Sequence, residues 1–427
     1  MIKKISKAVY LILFSVTAYS QDLSYAKTVV ATLASKEFQG RGYTNKGNEL
    51  AGEYIISEFT TIGLLPLKKN YCQKFNISIN TFPGAMAVKL DNDVLKPAVD
   101  FLVESSSPGL SGTFPVYKTS RKELNSEKKI VALLDKAKSN FIFIDETDKT
   151  GETEAETKII DDYITFLKYN EDVASQGIIL YTKEKLTWDN SLYVNFRPVI
   201  IINKPIDTKN IKTITVSIEN NYIKSFETRN LAGFIKGNVK PDSFIVVVAH
   251  YDHLGQMGKD TYFPGANDNA SGVAMLLSLA KYYSKHTPKY SMLFLALSGE
   301  EVGLLGAKEF TDNPLIKLGK IKFLVNFDLA GTGEEGIRVV NGSIFKDKFD
   351  ILTKLNNDKK LVAKVDIRGE ACNSDHCKFY EKKVPCFYIY TQGGIKAYHD
   401  IYDKSETLPL TAFVNYCILM IAFFGTF

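Results

Sequence analysis

The sequence lacks the features that would place it in a special class of protein. Its 53 basic and 48 acidic residues give a formal net charge of only +5, which provides no argument for nucleic-acid binding. With 28 Gly and 13 Pro in 427 residues it is not collagen-like, and its 45% hydrophobic content excludes a wholly disordered chain. What remains is a globular protein with two or three domains, or one large domain with an insertion.

Long apolar runs are also absent. Two apolar segments, residues 8–18 and 416–424, are shorter than the roughly 20 residues that a membrane-spanning helix needs. The first has lysines only on its N-terminal side and is followed by small residues at alternate positions, the order of a secretory signal peptide. We therefore predict a signal peptide over residues 1–20 and a mature protein exported to the periplasm or the medium, without a membrane span. The second segment is predicted to be a core helix.

Cysteine is scarce, and its count of five is odd. Export permits disulfides, but an odd count leaves at least one thiol free. Cys372 and Cys377 are close enough in sequence to form a disulfide. Cys386 and Cys417 lie on apolar elements and are expected to be buried free thiols.

The apolar pattern changes twice along the chain. Residues 25–33 and 48–62 have the apolar spacing of helices. Residues 86–224 contain short β-rich runs separated by polar stretches such as 145–158. From residue 230 onward buried strands alternate with helices, which predicts an α/β fold with a mostly parallel sheet flanked by helices.

Side chains able to bind metal follow each strand predicted in this last part. They are His250 and Asp252 after the strand 244–249, Asp268 before the helix 270–283, Glu300 and Glu301 after the strand 292–297 and at the start of a predicted helix 301–310, Asp328 after the strand 321–327, and His399 after the strand 384–390. Because the carboxyl ends of parallel strands share one edge of the sheet, these residues are expected to converge. Imidazole and carboxylate are ligands for zinc, although cobalt or manganese would also accept them.

The residue types suggest how such a site would work. Two metals need a bridging ligand, and Asp268 is the natural candidate. Of the adjacent pair Glu300 and Glu301, one can bind metal while the other acts as a general base on water. Asp252 can accept the second imidazole N–H of His250 if the strand continues that far. Each short motif alone is weak evidence, but their common edge and order strengthen the prediction.

These segments resemble the family of secreted dizinc aminopeptidases, which are bacterial leucyl aminopeptidase-like zinc metallopeptidases. The group also contains glutamate carboxypeptidase and, in altered form, glutaminyl cyclases. The matching segments are AHYDHLG (249–255), PGANDNASG (264–272), SGEEVGLLGA (298–307), NFDLAG (326–331) and YHDIYDKSETL (398–408), with GRGYTNKGNELAGEYI (40–55), SDHCKF (374–379) and VPCFYI (384–389). One departure is Asp400, where a Thr is common.

The resemblance implies a role for each site residue. His250 and Asp328 bind one zinc, Glu301 and His399 bind the other, Asp268 bridges them, Glu300 is the general base, Asp252 orients His250, and Tyr398 stabilises the oxyanion. SQGIILY (175–181) and PVIIINK (198–204) resemble a protease-associated domain.

We therefore predict an α/β chain with a mixed, mostly parallel sheet of the zinc-exopeptidase (phosphorylase/hydrolase-like) type. Its segments are a signal peptide (1–20), the N-terminal part of the peptidase domain (21–85), a protease-associated-like β-rich insertion (86–224) and the catalytic domain (225–427). The predicted function is an aminopeptidase acting on peptides with two Zn²⁺ per chain. Nothing in the sequence indicates the oligomeric state.

Three other functions remain open. A carboxypeptidase or dipeptidase needs a cation for the substrate carboxylate, and the candidates are Arg229, Arg338 and Arg368. A glutaminyl cyclase uses one zinc and does not keep all five ligands. A non-catalytic receptor on a peptidase fold would have lost ligands. Of the other histidines, His253 is expected in a loop beside the site, His376 in the site wall and His286 at the surface.

Overall fold

The computed structural model describes residues 22–427, so the predicted signal peptide (1–20) lies outside the described residues. Within residues 22–427 no helix is long and apolar enough to cross a membrane. The α-helices are α1 (Leu23–Leu33), α2 (Gly47–Ile62), α3 (Glu127–Lys136), α4 (Glu154–Tyr169), α5 (Gly272–Tyr283), α6 (Leu305–Asp312), α7 (Lys346–Lys359), α8 (His376–Glu381) and α9 (Phe413–Phe424).

The strands belong to two sheets. In chain order they are β1 (Leu65–Pro66), β2 (Cys72–Thr81), β3 (Met86–Leu90), β4 (Asp93–Leu95), β5 (Phe101–Val103), β6 (Leu110–Ser120), β7 (Phe141–Asp145), β8 (Gly177–Tyr181), β9 (Val199–Ile202), β10 (Thr213–Ile218), β11 (Asn221–Ile235), β12 (Lys240–His250), β13 (Tyr290–Leu297), β14 (Ile321–Phe327), β15 (Gly336–Val340), β16 (Val365–Ile367) and β17 (Cys386–Gln392).

The first sheet has nine strands in the order β1-β11-β13-β12-β14-β17-β15-β16, with β2 pairing to β11. Its centre, β13-β12-β14-β17, is parallel. Pairs nearer the edges, such as β11 with β13 and β15 with β17, are antiparallel. The predicted α/β class with a mixed sheet is confirmed, and the parallel pairing is concentrated in the strands that helices cover on both faces.

The central strand β12 shows why the sheet is buried on both faces. Ile245 and Val247 face a core shared with α1, α2, α5, α7 and α9, whereas Val246 and Val248 face α6 and α8. Alternate side chains of a strand point to opposite faces, so a continuous apolar run must be covered on both. The predicted C-terminal core helix is α9, in which Tyr416 is fully buried.

The second sheet has the order β4-β3-β10-β6-β7-β8-β9-β5. All its strands lie between residues 86 and 218, which we call the second-sheet region. The segment 145–158, expected from the sequence to be a polar separator, contains the start of α4, whose Thr153 and Glu156 form a capping box. One face of the sheet packs on α3 and α4, and the other contacts Leu254 and Phe263 from the loop after β12.

The structure also bears on the helix predicted over residues 301–310 and on the pair Cys372 and Cys377. The predicted helix 301–310 begins only at Leu305, because Gly303 and Leu304 have φ angles of 96° and 63°, which interrupt a helix. Glu301 therefore lies in a turn. Cys372 and Cys377, which the sequence places close enough for a disulfide, form one.

Candidate metal centre and active site

The predicted metal ligands gather at the carboxyl edge of the central parallel strands. His250 ends β12, Asp268 lies between β12 and α5, Glu301 follows β13, Asp328 follows β14, and His399 lies in the loop after β17. All five side chains are buried or nearly so. The fold thus brings together residues that are separated by up to 149 positions, from 250 to 399.

Asp268 stands between the two histidines. Its Oδ1 lies 3.4 Å from Nε2 of His250, and its Oδ2 lies 3.1 Å from Nε2 of His399. One carboxylate thus presents a separate oxygen to each imidazole, which is the arrangement that a bridging ligand requires.

A second carboxylate accompanies each histidine. Asp328 Oδ1 is 3.5 Å from Nε2 of His250, and Glu301 Oε2 is 3.3 Å from Nε2 of His399. Tetrahedral zinc with bonds of about 2.0–2.2 Å holds its ligand atoms about 3.4 Å apart, which matches these four imidazole–carboxylate distances. The ligand atoms of His250, Asp268 and Asp328 lie within 4.8 Å of one another, as do those of His253, Asp268 and Glu301. Each histidine lies beside the carboxylates that the family resemblance implies for it, with Asp268 near both.

The electrostatics of the site also suit a cation. Burial lowers the pKa of His399, but the carboxylates of Glu301 and Asp268 outweigh this effect and raise it to about 11. In the same way, nearby carboxylates outweigh burial and raise the pKa of His250 well above its usual value. The site contains more carboxylates than imidazoles. Divalent cations that replace the protons on the two imidazoles would neutralise the excess negative charge.

Glu300 lies beside both clusters without making the close imidazole contacts of the other acids. Burial raises the pKa of its carboxyl, and the negative charges of Glu301 and Asp328 raise it further. A carboxyl with a raised pKa beside a metal centre is suited to accept and return a proton.

Asp252 differs in detail from the prediction. His250 Nδ1 lies 3.2 Å from the backbone oxygen of Asp252 but 3.8 Å from its carboxylate, which is too far for a hydrogen bond. The carboxylate instead accepts the Tyr43 hydroxyl at 2.6 Å and the backbone N–H groups of Glu300 and Glu301, both at 3.3 Å. Asp252 therefore orients His250 through its main chain, and its side chain holds the turn that carries the two glutamates.

Two histidines left without a catalytic role lie against the site. His253 is fully buried, and its Nδ1 is 2.7 Å from Oε1 of Glu301, the oxygen that does not face His399. His376 is also buried, with Nε2 2.8 Å from the Ala371 carbonyl oxygen, and burial lowers its pKa to about 4. Sequence reasoning expected both near the site but missed the contact of His253 with Glu301.

Two further residues hold the Asp268 loop, and sequence reasoning assigned a role to neither. Asp403 accepts the backbone N–H groups of Asn267 and Asp268 at 2.8–3.0 Å. Arg41 is fully buried and donates to five carbonyl oxygens at 2.7–3.0 Å, those of Leu33, Tyr251, Pro264, Gly265 and Asp268. Its position between two glycines in GRGYTNKG was the available signal, because those glycines pack against Gly255 with no room for a side chain.

Tyr398 stacks on the ring of His399, with centroids 4.0 Å apart and an interplanar angle of 16°. Tyr398 is 46% exposed, so its ring covers the imidazole of His399 on the side that faces solvent. Its role at an oxyanion stays a prediction.

A cavity of 590 Å³ opens beside the centre. Residues 301–303 form one wall, and the second-sheet region supplies the others, including Glu104, Lys168 and Asp189. Lys168 pairs with Glu104, while Asp189 accepts a hydrogen bond from Ser105 at 2.6 Å. The volume suits one or two amino-acid residues of a ligand, since small-molecule sites usually span about 300–1,000 Å³.

Known proteins share this fold along almost the whole chain. A zinc aminopeptidase from Bacillus subtilis superposes with a TM-score of 0.68 at 19% identity, covering 94% of this chain and 93% of that one. A Peptidase M28 precursor from Shewanella amazonensis gives a TM-score of 0.66 at 16% identity, covering 95% and 96%.

Sequence similarity is confined to a shorter segment. Aminopeptidase YwaD from Bacillus subtilis is 32% identical over 112 residues, and a probable zinc metalloprotease from Pyrenophora tritici-repentis is 34% identical over 102. These matches cover 25% and 23% of this chain, and 23% and 24% of the two relatives' own lengths. The sequence model of Peptidase family M28 matches residues 230–424, which contain all five predicted ligands. The resemblance inferred from the motifs is confirmed over residues 230–424, the part of the chain that matches the sequence model of Peptidase family M28.

Proposed function

We propose that this chain is an exported, two-zinc aminopeptidase that removes N-terminal residues from peptides. The observation that carries the proposal is the position of Asp268, whose two carboxylate oxygens face two different histidines. Each histidine has its own second carboxylate, so the chain offers two sites of the same chemistry that share one ligand.

His250 and Asp328 would hold one zinc, Glu301 and His399 the other, and Asp268 both. Zinc bound there supplies Lewis acidity, which polarises the scissile carbonyl and lowers the pKa of water. The Nδ1 atoms of both histidines lie within hydrogen-bond distance of a backbone oxygen, which leaves each Nε2 free to bind metal.

Glu300 is the group that moves the proton. Its carboxylate lies with His250 and Glu301 at the centre, where it can take a proton from the attacking water and return it to the leaving amine, the cycle that peptide hydrolysis requires. The backbone N–H of Glu300 is fixed by Asp252, which limits its movement between the two steps.

The charges near the cavity favour an aminopeptidase over a carboxypeptidase. The three arginines considered as carboxylate anchors each have another partner: Arg229 pairs with Glu53, Arg338 lies near Asp366, and Arg368 donates to Tyr390. The one lysine in the cavity wall pairs with Glu104, which leaves Asp189 as a carboxylate able to attract a substrate ammonium group.

The decisive experiment combines metal analysis with paired substrates. The purified mature chain is expected to contain two zinc ions and to cleave Leu-, Ala- or Lys-p-nitroanilide, with the activity lost on chelation and restored by zinc. N-acetylated peptides should not be cleaved. Cleavage of the acetylated peptides alone would overturn the aminopeptidase assignment in favour of a carboxypeptidase.

The variant Glu300→Gln tests the mechanism. It keeps the size of the side chain and removes its basicity, so zinc content and melting temperature should match wild type while kcat falls by about 10²–10⁴-fold, the usual contribution of general acid–base catalysis. A wild-type rate in this variant would show that another group moves the proton.

A further inference from the structure

The backbone of His399, like that of Asp268, depends on contacts from distant parts of the chain. His250 ends a strand, and Glu301 and Asp328 follow strands closely, whereas His399 lies in the segment 393–403 that follows β17. Its φ angle of 53° is uncommon for a residue with a side chain. Contacts from elsewhere must therefore hold its imidazole toward Asp268.

The second-sheet region supplies these contacts through Trp188. The backbone N–H of Trp188 donates to the carbonyl oxygen of His399 at 2.9 Å, and the carbonyl oxygen of Trp188 lies 2.9 Å from Nδ1 of His399. An Nδ1–H held by a carbonyl fixes the tautomer in which Nε2 carries the lone pair. The same main-chain unit therefore sets both the backbone and the ring of His399.

Lys185 holds the same loop from its outer side. Its ammonium group donates to the carbonyl oxygens of Lys396 at 3.0 Å and Tyr398 at 3.1 Å, and pairs with Asp400 at 2.5 Å. Asp400 also accepts the backbone N–H of Tyr402 at 2.8 Å. Asp400 is the position at which the chain departs from the family motif, and here it connects the histidine loop to Lys185.

Trp188 is itself firmly positioned. Its indole stacks on Phe263 with ring centroids 4.8 Å apart, and its Nε1–H donates to the Val103 carbonyl oxygen at 2.7 Å. Phe263 belongs to the loop that leads to Asp268. The residue thus links the second-sheet region to both loops of the centre.

We infer that the segment 185–188 of the second-sheet region is a positioning element of the metal centre, which orients His399 for zinc through the Trp188 backbone and the Lys185 ammonium group. This inference rests on the proposed function only in taking His399 as a zinc ligand. It assigns to this region a role beyond shaping access to the cavity.

The variant Lys185→Met tests it, because it keeps an apolar side chain of similar length and removes all three contacts. Zinc affinity is measured by competition with a chromogenic chelator on the full chain. One of the two zinc ions is expected to bind about 10-fold more weakly, the lower end of the range for residues that orient a ligand, while the other keeps wild-type affinity. Lys185→Arg should restore binding, and Lys183→Met, at a neighbouring position of the same surface segment, is the matched control.

The fluorescence of Trp188 gives a second readout, which, like the chelator competition, needs no activity assay. Trp188 is the only tryptophan in the chain, so its fluorescence reports directly on this contact. Zinc added to the metal-free protein should change the emission in wild type, and in Lys185→Met the change should shift to about 10-fold higher zinc concentration. In a His399→Ala background, Lys185→Met should cause no further loss of affinity.

The outcomes separate the two proposals. If the wild-type chain binds no zinc, the proposed function fails. If wild type binds two zinc ions and Lys185→Met binds both with unchanged affinity, the positioning role is refuted while the proposed function stands. Equal weakening by Lys183→Met and Lys185→Met would also refute it, because the effect would then be one of surface charge.

Discussion

Arg41 offers the sharpest test of how the main chain supports the metal centre. Its guanidinium is fully buried and donates five hydrogen bonds to carbonyl oxygens, three of them in the segment 264–268 that presents the bridging Asp268. Burial lowers its pKa to about 10, partly offset by the surrounding carboxylates, so the side chain stays charged at neutral pH. No single lysine can replace these contacts, because an ammonium group has three donors.

The expected cost can be worked out from that count. In Arg41→Lys at least two of the five carbonyl oxygens lose their bond to this side chain. The Gly265 oxygen keeps the N–H of Ala270 at 3.3 Å, so at least one buried carbonyl is left unpaired, and the unfolding free energy should fall by at least about 1–3 kcal/mol. The loop 264–268 should also loosen, which weakens zinc binding by moving Asp268. Urea unfolding of the metal-free protein measures the first effect, and chelator competition measures the second.

Arg197 is the matched control. It is also buried and donates to four carbonyl oxygens, those of Leu167, Lys168, Asn170 and Val173 at the end of α4. Arg197→Lys should cost about 1–3 kcal/mol by the same reasoning but leave zinc affinity unchanged. Wild-type stability in Arg41→Lys, or equal zinc affinity in both variants, would refute the account of Arg41.

Three further predictions concern residues around the centre. His253→Ala removes the contact with Glu301 Oε1, and zinc affinity measured by chelator competition should fall about 10-fold; unchanged affinity would make His253 a packing residue. Asp403→Asn leaves at most one acceptor for the N–H groups it now binds, so urea unfolding should show a loss of about 1–3 kcal/mol. His376 stays neutral when folded, with a pKa of about 4. In the unfolded chain the pKa of His376 is about 6.5. The contribution of the neutral side chain to the free energy of unfolding is therefore complete above about pH 6.5, and about 3 kcal/mol of it is lost as the pH falls toward 4. His376→Gln should flatten this part of the pH profile in urea unfolding, and an unchanged slope would contradict the assignment.

Local signals in the sequence were sufficient for the central elements. The continuous apolar runs of β12, β13 and β14 predicted buried strands, and β14 has the predicted bounds of residues 321–327. Edge strands were harder, because antiparallel pairing such as that of β11 with β2 depends on residues about 150 positions apart. The start of helix α4 was missed because the segment 145–158 is polar and was interpreted as a separator between strands. Its Thr153 and Glu156, which form a capping box, were the signal for a helix.

The sequence by itself determined which residue types meet at the carboxyl edge of the sheet, because each motif comes directly after a buried strand and the parallel strands end at one edge. Tertiary structure alone decided how they are held. Arg41 reaches the Asp268 loop across more than 220 positions, and Trp188 reaches His399 across 211. These contacts run through backbone carbonyl and N–H groups, which nearly every residue carries, so the pattern of side chains did not identify which groups they join.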